Sequence, residues 1–331
     1  MNIAKSKIKK ILVISLSNIG DVVMTFPVMD ILHRDFPKAQ LSVVVGPKAE
    51  PLLKGNPYIH RVILYHKKQS FPRLFAWLLQ LRKDNYDLVV DLKNTIIPFL
   101  VSTHYLTSPF LKRNAGEHMQ QQHLRRLKAI YPYKEEPRER CALYIPPQER
   151  LSATNMICSE VGDRKPYVVI APGAADSGKR WPEEKFALFS DSLIKRFGVQ
   201  VVFVGDKNDR ILADAICQRM EQRAVNFCGR ISLIHCAVVL ERSCAALVND
   251  SAPLHLASYL DVPTVALFGP TDPRLYGPWS QSSRVLERKR SCSACQDPRR
   301  QAKHGCMGAI SVEDVLDVFE LASSGDVVLK N

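Results

Sequence analysis

Short apolar runs alternate with longer segments of helical periodicity along the first half of the chain. Strand-like runs occupy 10–16, 41–46, 61–66 and 86–92, and helical patterns cover 21–36 and 71–84. Strands that are apolar throughout, separated by helices, predict a parallel sheet covered on both faces. The following residues, 93–140, are basic and interrupted by prolines, and their pattern assigns no clear element.

A second alternation begins at residue 167, after a proline-bracketed helical stretch at 144–166 that we interpret as a connection. It predicts strands at 167–173, 199–205, 245–250 and 263–269, and helices at 182–197, 209–220, 232–243, 251–259 and 311–322. Two successive units of this kind predict an α/β fold with two Rossmann-like, doubly wound domains facing a cleft, residues 1–155 and 156–331. Ligands of such sheets bind beyond the carboxyl ends of the strands.

Charge separates the two halves. Residues 1–150 hold 24 Lys and Arg against 12 Asp and Glu, whereas residues 151–331 hold 22 against 21, so nearly all of the net charge of +13 lies in the first half. This segregation predicts an anionic partner such as a membrane surface, a phosphorylated ligand or nucleic acid. Because no zinc-finger, helix-turn-helix or aromatic RNA-binding motif occurs, we expect no nucleic-acid partner. An NAD-dependent enzyme is disfavoured, since no G-x-G-x-x-G follows a strand.

Composition predicts a cytoplasmic protein. No apolar run approaches the roughly 18 residues that span a bilayer. The lysine-rich start resembles a signal peptide, but polar residues interrupt its apolar run and no small-residue cleavage site follows, so we interpret it as a basic tail before the first strand. The nine cysteines are odd in number and lie mostly in apolar segments, as Cys217, Cys236 and Cys244 do, which favours reduced core thiols.

The turn after the first strand carries an acid at a place where phosphate often binds. Its sequence is SLSNIGDVVMTFP, residues 15–27, and a helix follows the turn. Free N–H groups and the dipole at a helix N-terminus attract phosphate, but the carboxylate of Asp21 would occupy that position and repel a phosphate. Asp21 is either a base that takes a proton from an attacking hydroxyl or a first-turn acid that interacts with the helix dipole.

Two later loops have the character of a diphosphate site. In VNDSAPLHLAS, Asp250 ends a strand, Ser251 begins a helix, and His255 lies one turn further on the same helix face. Alternatively, the first two residues cap the helix and the histidine packs against the sheet.

The second loop, APGAADSGKRWPEEKF, follows a buried strand. Gly173 and Gly178 are expected to permit unusual backbone angles, and Trp181 to anchor the loop by packing. Lys179 lies beside a helix N-terminus, where a positive charge suits a diphosphate.

These blocks resemble the ADP-heptose:lipopolysaccharide heptosyltransferase family, glycosyltransferase family 9. SNIGDVVMTFPVM, PGA…KRWPEEKF and NDSAPLHLASYLDVPTVALFGPTDP occur in the family's order and span nearly the whole chain. The resemblance implies two Rossmann-like domains in the GT-B arrangement. It also implies inverting transfer of a sugar, heptose from ADP-heptose, to an anionic lipopolysaccharide inner-core acceptor, with no required cofactor or metal and with peripheral contact to the inner membrane surface.

Two other functions stay open with this resemblance. One is a related glycosyltransferase that uses a different nucleotide sugar or acceptor. The other is a non-catalytic nucleotide-sugar-binding protein of the same fold.

The resemblance assigns roles to single residues. The family's catalytic aspartate falls on Asp21, and its phosphate-binding lysine falls on Lys179. The donor-binding residues at the diphosphate helix are Asp250, Ser251, Ala252 and His255. With these blocks together, the general-base interpretation of Asp21 is favoured over the helix-dipole interpretation.

Three departures from the family pattern bear on the substrates rather than on the chemistry. Family members often carry Thr or Ser where Ala174 and Ala175 stand, glycine where Ala252 stands, and a basic residue where Ser15 stands. These differences leave the donor sugar and the acceptor open.

Basic residues in the unassigned part of the first half are candidate acceptor contacts. They are Arg113, His118, Arg125, Arg126 and Lys128. They lie in a proline-flanked segment that has little core character, and the alternative for each is a solvated position on a basic helix.

A cysteine cluster near the end of the chain is a weak zinc candidate. Its four possible ligands are Cys292, Cys295, His304 and Cys306, enough for a tetrahedral site. The last two are separated by one residue, an awkward geometry for chelation, and no second C-x-x-C exists. Unligated thiols are therefore favoured, and we expect no metal.

Overall fold

The chain divides after Pro146 into two α/β units in the computed structural model, which describes residues 3–101, 103–108, 111, 114–137, 139–287 and 306–324. The expected domain boundary at 155/156 falls inside helix α7 (Pro147–Glu160), which belongs wholly to the second unit. In that unit α7 packs against α10 (Leu233–Glu241), where the Glu149 carboxylate lies 2.8 Å from the His235 ring nitrogen and Arg150 pairs with Glu241.

The first unit contains a parallel sheet in the order β3-β2-β1-β4-β5. Its strands are β1 Lys10–Ile14, β2 Gln40–Val45, β3 Arg61–Leu64, β4 Tyr86–Asp91 and β5 Thr103–Leu106. Its helices are α1 Ile19–Val23, α2 Phe26–Asp35, α3 Glu50–Leu53, α4 Phe71–Lys83, α5 Ile97–Leu100 and α6 Met119–Ile130.

The second unit contains a parallel sheet in the order β11-β10-β9-β6-β7-β8. Its strands are β6 Tyr167–Ala171, β7 Gln200–Phe203, β8 Val225–Asn226, β9 Ala245–Asn249, β10 Thr264–Phe268 and β11 Ser283–Glu287. After α7, its helices are α8 Glu183–Phe197, α9 Asp209–Arg219, α10 Leu233–Glu241, α11 Ala252–Leu260, α12 Pro273–Tyr276 and α13 Val312–Ser324.

Each sheet reverses its strand order at one point, between β1 and β4 in the first unit and between β6 and β9 in the second. Loops on the two sides of such a reversal leave in opposite directions and open a crevice at the carboxyl ends of the strands. The loops after these four strands are therefore the places where the topology favours a ligand. The predicted α/β class with doubly wound parallel sheets is confirmed.

Each unit has its own hydrophobic core, built on the inner strands. In the second unit, Trp181 packs edge-on against Phe186 at 5.1 Å and Phe189 at 6.2 Å between ring centroids, and all three are buried. The predicted anchoring role of this tryptophan is thereby confirmed. In the first unit, aliphatic residues of β1 and β4 pack with Leu81 of α4.

Two parts of the first unit differ from the pattern-based prediction. The helix predicted over 21–36 is two helices, because the chain turns at Thr25, whose hydroxyl donates to the Val22 carbonyl at 2.6 Å. The unassigned segment contains β5 and α6, and α6 does contribute to the core. Its buried face includes polar side chains such as Gln120, Gln122 and His123, which conceal the helical periodicity.

Among the described residues, no helix has both the length and the apolar character needed to cross a membrane. The described cysteines are free thiols; of the three expected in the core, Cys236 is buried, whereas Cys217 and Cys244 are only partly buried. Burial raises the pKa of Cys236 to about 12 and that of Cys217 to about 11, so both stay protonated at neutral pH.

Candidate active site

The turn after β1 places Asp21 in the first turn of α1, partly exposed. The Asn18 side-chain amide, which stands at the helix N-cap, donates to the Asp21 carboxylate at 2.9 Å instead of capping the helix backbone. A hydrogen-bonded and solvent-accessible carboxylate at a strand end can accept a proton from a hydroxyl group. It also suits the positive end of the helix dipole, so this contact alone is compatible with both interpretations of Asp21.

Buried polar contacts hold this turn in place. Ser15 and Thr25, at the two ends of the turn, share a hydrogen bond of 2.8 Å between their hydroxyl oxygens. Gly46, after β2, touches the turn so closely that a Cβ there would lie 2.9 Å from the Ser17 carbonyl oxygen. The position of Asp21 therefore rests on a backbone that is fixed on both sides.

Lys93, after β4, is a cation at this edge that the sequence analysis missed. Its ammonium donates to the Ser17 hydroxyl at 3.3 Å and lies 4.9 Å from the centroid of the Tyr65 ring. Burial, followed by repulsion from Lys67, lowers the pKa of Lys93. Lys93, Ser17 and Tyr65 line a mostly aliphatic cavity of about 220 Å³ at the carboxyl ends of β1, β2 and β4.

Asp91, the last residue of β4, serves the backbone. Its carboxylate accepts N–H groups from Lys93 at 2.9 Å, Asn94 at 3.1 Å and Thr95 at 2.5 Å. Burial nevertheless raises the pKa of Asp91. Because its oxygens are committed to this turn, Asp91 is a structural acid, whereas Asp21 remains accessible.

In the second unit the residues predicted to bind a diphosphate meet at the strand-order reversal. The ammonium of Lys179, in the loop after β6, donates to the Asp250 carboxylate, after β9, at 2.7 Å. The Lys179 side chain is 29% exposed and that of Asp250 is 10% exposed. Thr271, in the loop after β10, donates its hydroxyl to the same carboxylate oxygen at 2.7 Å.

The N-terminus of α11 lies directly beside this cluster. Ser251 is its N-cap residue, but the serine hydroxyl donates to the Asn249 carbonyl at 3.2 Å and makes no side-chain cap. Ala252 and Pro253 follow, partly exposed, as the first helical residues. A helix start that its own N-cap side chain does not cover, next to an ammonium group, is suited to an anion.

His255 is buried one turn further along α11. Its ring stacks on that of Trp279, with centroids 5.9 Å apart and planes at 16°. The histidine is therefore part of the wall behind the helix start. Trp279 lies outside the sequence motifs of the site, and nothing in its local pattern indicates this contact.

Asn249, the last residue of β9, holds the loop that carries Lys179. Its buried amide donates to the Pro172 carbonyl at 2.7 Å and accepts the Trp181 backbone N–H at 3.4 Å. These two contacts hold both ends of the loop. A buried asparagine at a strand end must find such partners, so its place beside Asp250 was a signal that sequence reasoning could have used.

The glycines of the Lys179 loop act differently from the expectation. Neither Gly173 nor Gly178 has a positive φ. A Cβ on Gly173 would instead lie 2.0 Å from the Asp209 carboxylate, so this position needs glycine for space. The same carboxylate accepts the Asp206 N–H at 3.0 Å, and burial raises the pKa of Asp209.

The candidate acceptor residues lie on or near α6 in different environments. His118 caps the helix by accepting the Gln120 N–H at 3.2 Å. Arg125 pairs with Glu117 at 3.0 Å, and the exposed Lys128 lies 5.8 Å from the Tyr133 ring centroid. Arg126 differs from the expectation of an exposed contact.

Arg126 is buried, and its guanidinium faces the Asp91 carbonyl at 3.4 Å. Amphipathic α6 turns this arginine inward, so it supports the β4 turn. Arg113 lies outside the described residues.

Most of the zinc candidate also lies outside the described residues, namely Cys292, Cys295 and His304. Cys306 is described, partly exposed, at the start of a short 3₁₀ helix, Met307–Ala309. In the described part of the chain, no group of three or more His, Cys, Asp or Glu side chains is placed to hold a metal ion.

The profile of glycosyltransferase family 9 (heptosyltransferase) matches residues 108–305, more than half of the chain. Lipooligosaccharide heptosyltransferase 2 of Haemophilus ducreyi is 27% identical to the chain over 316 residues, which cover 84% of this chain and 88% of that protein. Lipopolysaccharide heptosyltransferase 2 of Salmonella typhimurium is 28% identical over 309 residues, 84% of this chain and 87% of that protein.

Solved structures show the same fold. The glycosyl transferase family 9 structure from Veillonella parvula has a TM-score of 0.84 at 24% identity, covering 97% of this chain and 98% of that one. ADP-heptose LPS heptosyltransferase II of E. coli has a TM-score of 0.76 at 22% identity, covering 95% and 98%. E. coli heptosyltransferase WaaC, solved with ADP, has a TM-score of 0.70 at 18% identity, covering 95% and 99%. Together with the strand-end residues described above, the match shows that this chain belongs to glycosyltransferase family 9, the heptosyltransferase family, and is a glycosyltransferase.

Proposed function

We propose that this chain is an inverting heptosyltransferase that transfers heptose from ADP-heptose to an anionic lipopolysaccharide inner-core acceptor. The observation that carries the proposal is the meeting of Lys179, Asp250 and Ser251 beside the N-terminus of α11, at the strand-order reversal of the second sheet. The relatives reported above are named heptosyltransferases of this lipid class. The first unit is proposed to bind the acceptor and the second the nucleotide sugar.

The donor diphosphate is proposed to bind at the cluster that contains Lys179. An ammonium group has three N–H donors, and Asp250 accepts from one of them. The lysine can therefore keep this contact while another N–H donates to a phosphate oxygen. The N–H groups at the start of α11, from Ala252 on, add the positive end of the helix dipole. His255 supports this helix from behind through Trp279.

Asp21 is proposed as the general base. The acceptor hydroxyl oxygen forms a bond to the anomeric carbon while the bond from that carbon to the diphosphate oxygen breaks, through a transition state with oxocarbenium character. The hydroxyl proton passes to the Asp21 carboxylate. The electron pair of the broken bond leaves with ADP, whose charge Lys179 stabilises. No residue in this scheme needs a bound cofactor or metal, and both substrates meet the chain at strand ends.

The net positive charge of the first half suits a phosphorylated, lipid-linked acceptor. His118, Arg125 and Lys128 remain proposed contacts, because they are at least partly exposed on or before α6. The chain is proposed to act in the cytoplasm, in peripheral contact with the inner membrane surface.

The experiment that tests this function offers the purified chain a panel of nucleotide sugars, ADP-heptose among them, with truncated core acceptors. We expect a product whose mass has increased by one heptose, formed from ADP-heptose. Product from another sugar only would identify a related glycosyltransferase with a different donor. Tight nucleotide-sugar binding with no product from any acceptor would favour a non-catalytic binding protein.

Asp21→Asn should fold normally and still bind nucleotide, yet lose turnover by ~10²–10⁴-fold, since the amide keeps the size of the side chain but removes its basicity. Initial rates at saturating substrates and a nucleotide-binding titration measure this. Glu50→Gln, which neutralises another first-turn helix acid of the same unit, is the matched control and should retain the parent rate. Turnover of Asp21→Asn within a few-fold of the parent would reassign Asp21 to the helix dipole.

Lys179→Ala should weaken donor binding and lower the rate together, by roughly 2–4 kcal/mol in the transition state, because the departing diphosphate loses its cation. The control is Lys195→Ala, which removes another lysine of the second unit that is ion-paired, to Glu221 at 2.5 Å. Steady-state kinetics with varied donor concentration separate the change in donor KM from the change in kcat. An unchanged rate and donor KM for Lys179→Ala would make its pairing with Asp250 purely structural.

Arg125→Gln combined with Lys128→Gln should raise the acceptor KM several-fold and reduce its dependence on salt, with donor KM unchanged. Arg126 is left intact, because its burial would confound binding with folding. Arg196→Gln, an exposed position of the second unit paired with Glu320, serves as control. Equal effects on both substrates would contradict acceptor binding by α6.

A further inference from the structure

The first unit exposes large apolar side chains on α4, on α5 and at the N-cap of α5. We call this set the α4–α5 stripe; it consists of Phe71, Phe75, Leu79, Ile96, Phe99 and Leu100. Phe71 is 78% exposed and Ile96 is 72% exposed, values unusual for such side chains. The two helices contact each other, so the exposed side chains lie on neighbouring elements rather than scattered over the unit, and such patches indicate interaction sites.

The stripe is additional to the face by which α4 joins the core. Trp77, Leu78 and Leu81 pack inward against the sheet. Phe71, Phe75 and Leu79 are spaced four residues apart, which places them in one row beside that inner face. Seating a helix on a sheet requires one apolar face, so core packing does not account for this second row.

The surroundings of the stripe are strongly basic. Residues 51–83 contain seven Lys and Arg and no Asp or Glu, and residues 92–116, which include α5, also contain no acid. A groove beside the start of α4 is lined by Lys48, Lys67, Lys68 and Arg73, and also by Ser17 and Asn18 of the Asp21 turn. Apolar side chains with basic neighbours complement one kind of partner, an anionic lipid surface.

We infer that the α4–α5 stripe docks the first unit on the surface of a bilayer that contains anionic lipids. Phe71, Phe75 and Phe99 enter the acyl boundary, and Lys67, Lys68 and Arg73 meet lipid headgroups. At 13 residues, α4 is about 20 Å long, shorter than a bilayer-spanning helix, so it lies on the membrane. The inference rests on the proposed function in one respect, since a lipid-linked acceptor gives this docking its purpose.

Vesicle sedimentation tests the inference directly. The parent chain should bind vesicles of phosphatidylethanolamine with phosphatidylglycerol, less so at high salt, and bind pure phosphatidylcholine vesicles weakly. Phe71→Ser combined with Phe75→Ser should reduce binding to the anionic vesicles by about tenfold or more. Ile211→Ser, which removes an apolar side chain that is 79% exposed in the second unit, is the matched control and should bind as the parent does.

A second measurement reports insertion at the stripe. The emission of Phe75→Trp should be quenched by brominated lipid in the vesicles beyond the parent signal, and the added emission of Ile211→Trp should not. Thermal unfolding of each variant is checked first, and these exposed substitutions should leave it unchanged. Equal vesicle binding by the parent and the double serine variant, or equal quenching at positions 75 and 211, would overturn the inference.

Two further readouts separate this inference from other outcomes. If the stripe is instead an interface between copies of the chain, the parent will be a dimer in solution and the double serine variant a monomer. The two will then bind vesicles equally, and this result would overturn membrane docking. Transfer to a soluble, deacylated acceptor should be equal in the parent and the double serine variant, whereas transfer to vesicle-embedded acceptor should fall. Absence of any transfer by the parent would contradict the proposed function and leave the vesicle-binding result standing by itself.

Discussion

The candidate donor site depends on the hydrogen bonds that the Asp250 carboxylate accepts. Neighbouring parallel strands end at the same edge of a sheet, so the loops after β6, β9 and β10 lie beside one another. Asp250 accepts from Lys179 in the first of these loops and from Thr271 in the third. Together with Asn249, which holds both ends of the Lys179 loop, it places a cation on a flexible stem at a fixed position beside the start of α11.

Two acids with different environments lie at the corresponding edge of the first sheet. The carboxylate of Asp91 is buried and accepts three backbone N–H groups of the turn after β4. A substrate hydroxyl cannot reach it without breaking that turn. Asp21 has the Asn18 amide at one oxygen and stays partly exposed. Because proton transfer requires access to the carboxylate, Asp21 is the one of these two acids that we propose as the general base. The buried hydrogen bond between Ser15 and Thr25 joins the two ends of the turn that carries Asp21.

The fold could be predicted from the sequence wherever buried strands are apolar throughout, and it could not where polar side chains are buried. The elements of the second unit with long apolar runs were predicted within a few residues, whereas two-residue β8 was missed. On α6, the buried polar side chains of Gln120 and Arg126 interrupt the apolar periodicity that predicts a helix. The positions of Lys179 and Asp250 at strand ends could be predicted from the sequence, but their ion pair could not. Lys93 and Trp279 likewise make their contacts with residues distant in sequence, which a local pattern does not show.

Basic residues of the first half lie on two different surfaces, α6 and the region around α4. On α6, Lys128 is exposed and Arg125, which pairs with Glu117, is partly exposed, while the opposite face of the helix is core. At the start of α4, basic residues flank apolar side chains whose exposure to water is unfavourable. An anionic sugar attached to a lipid presents these two chemistries together, since its charged groups stand just above an apolar phase. A soluble anionic substrate would account for the cations alone and would leave Phe71 and Phe75 as an unexplained cost in solubility. The combination therefore favours an acceptor that stays in its membrane during the reaction.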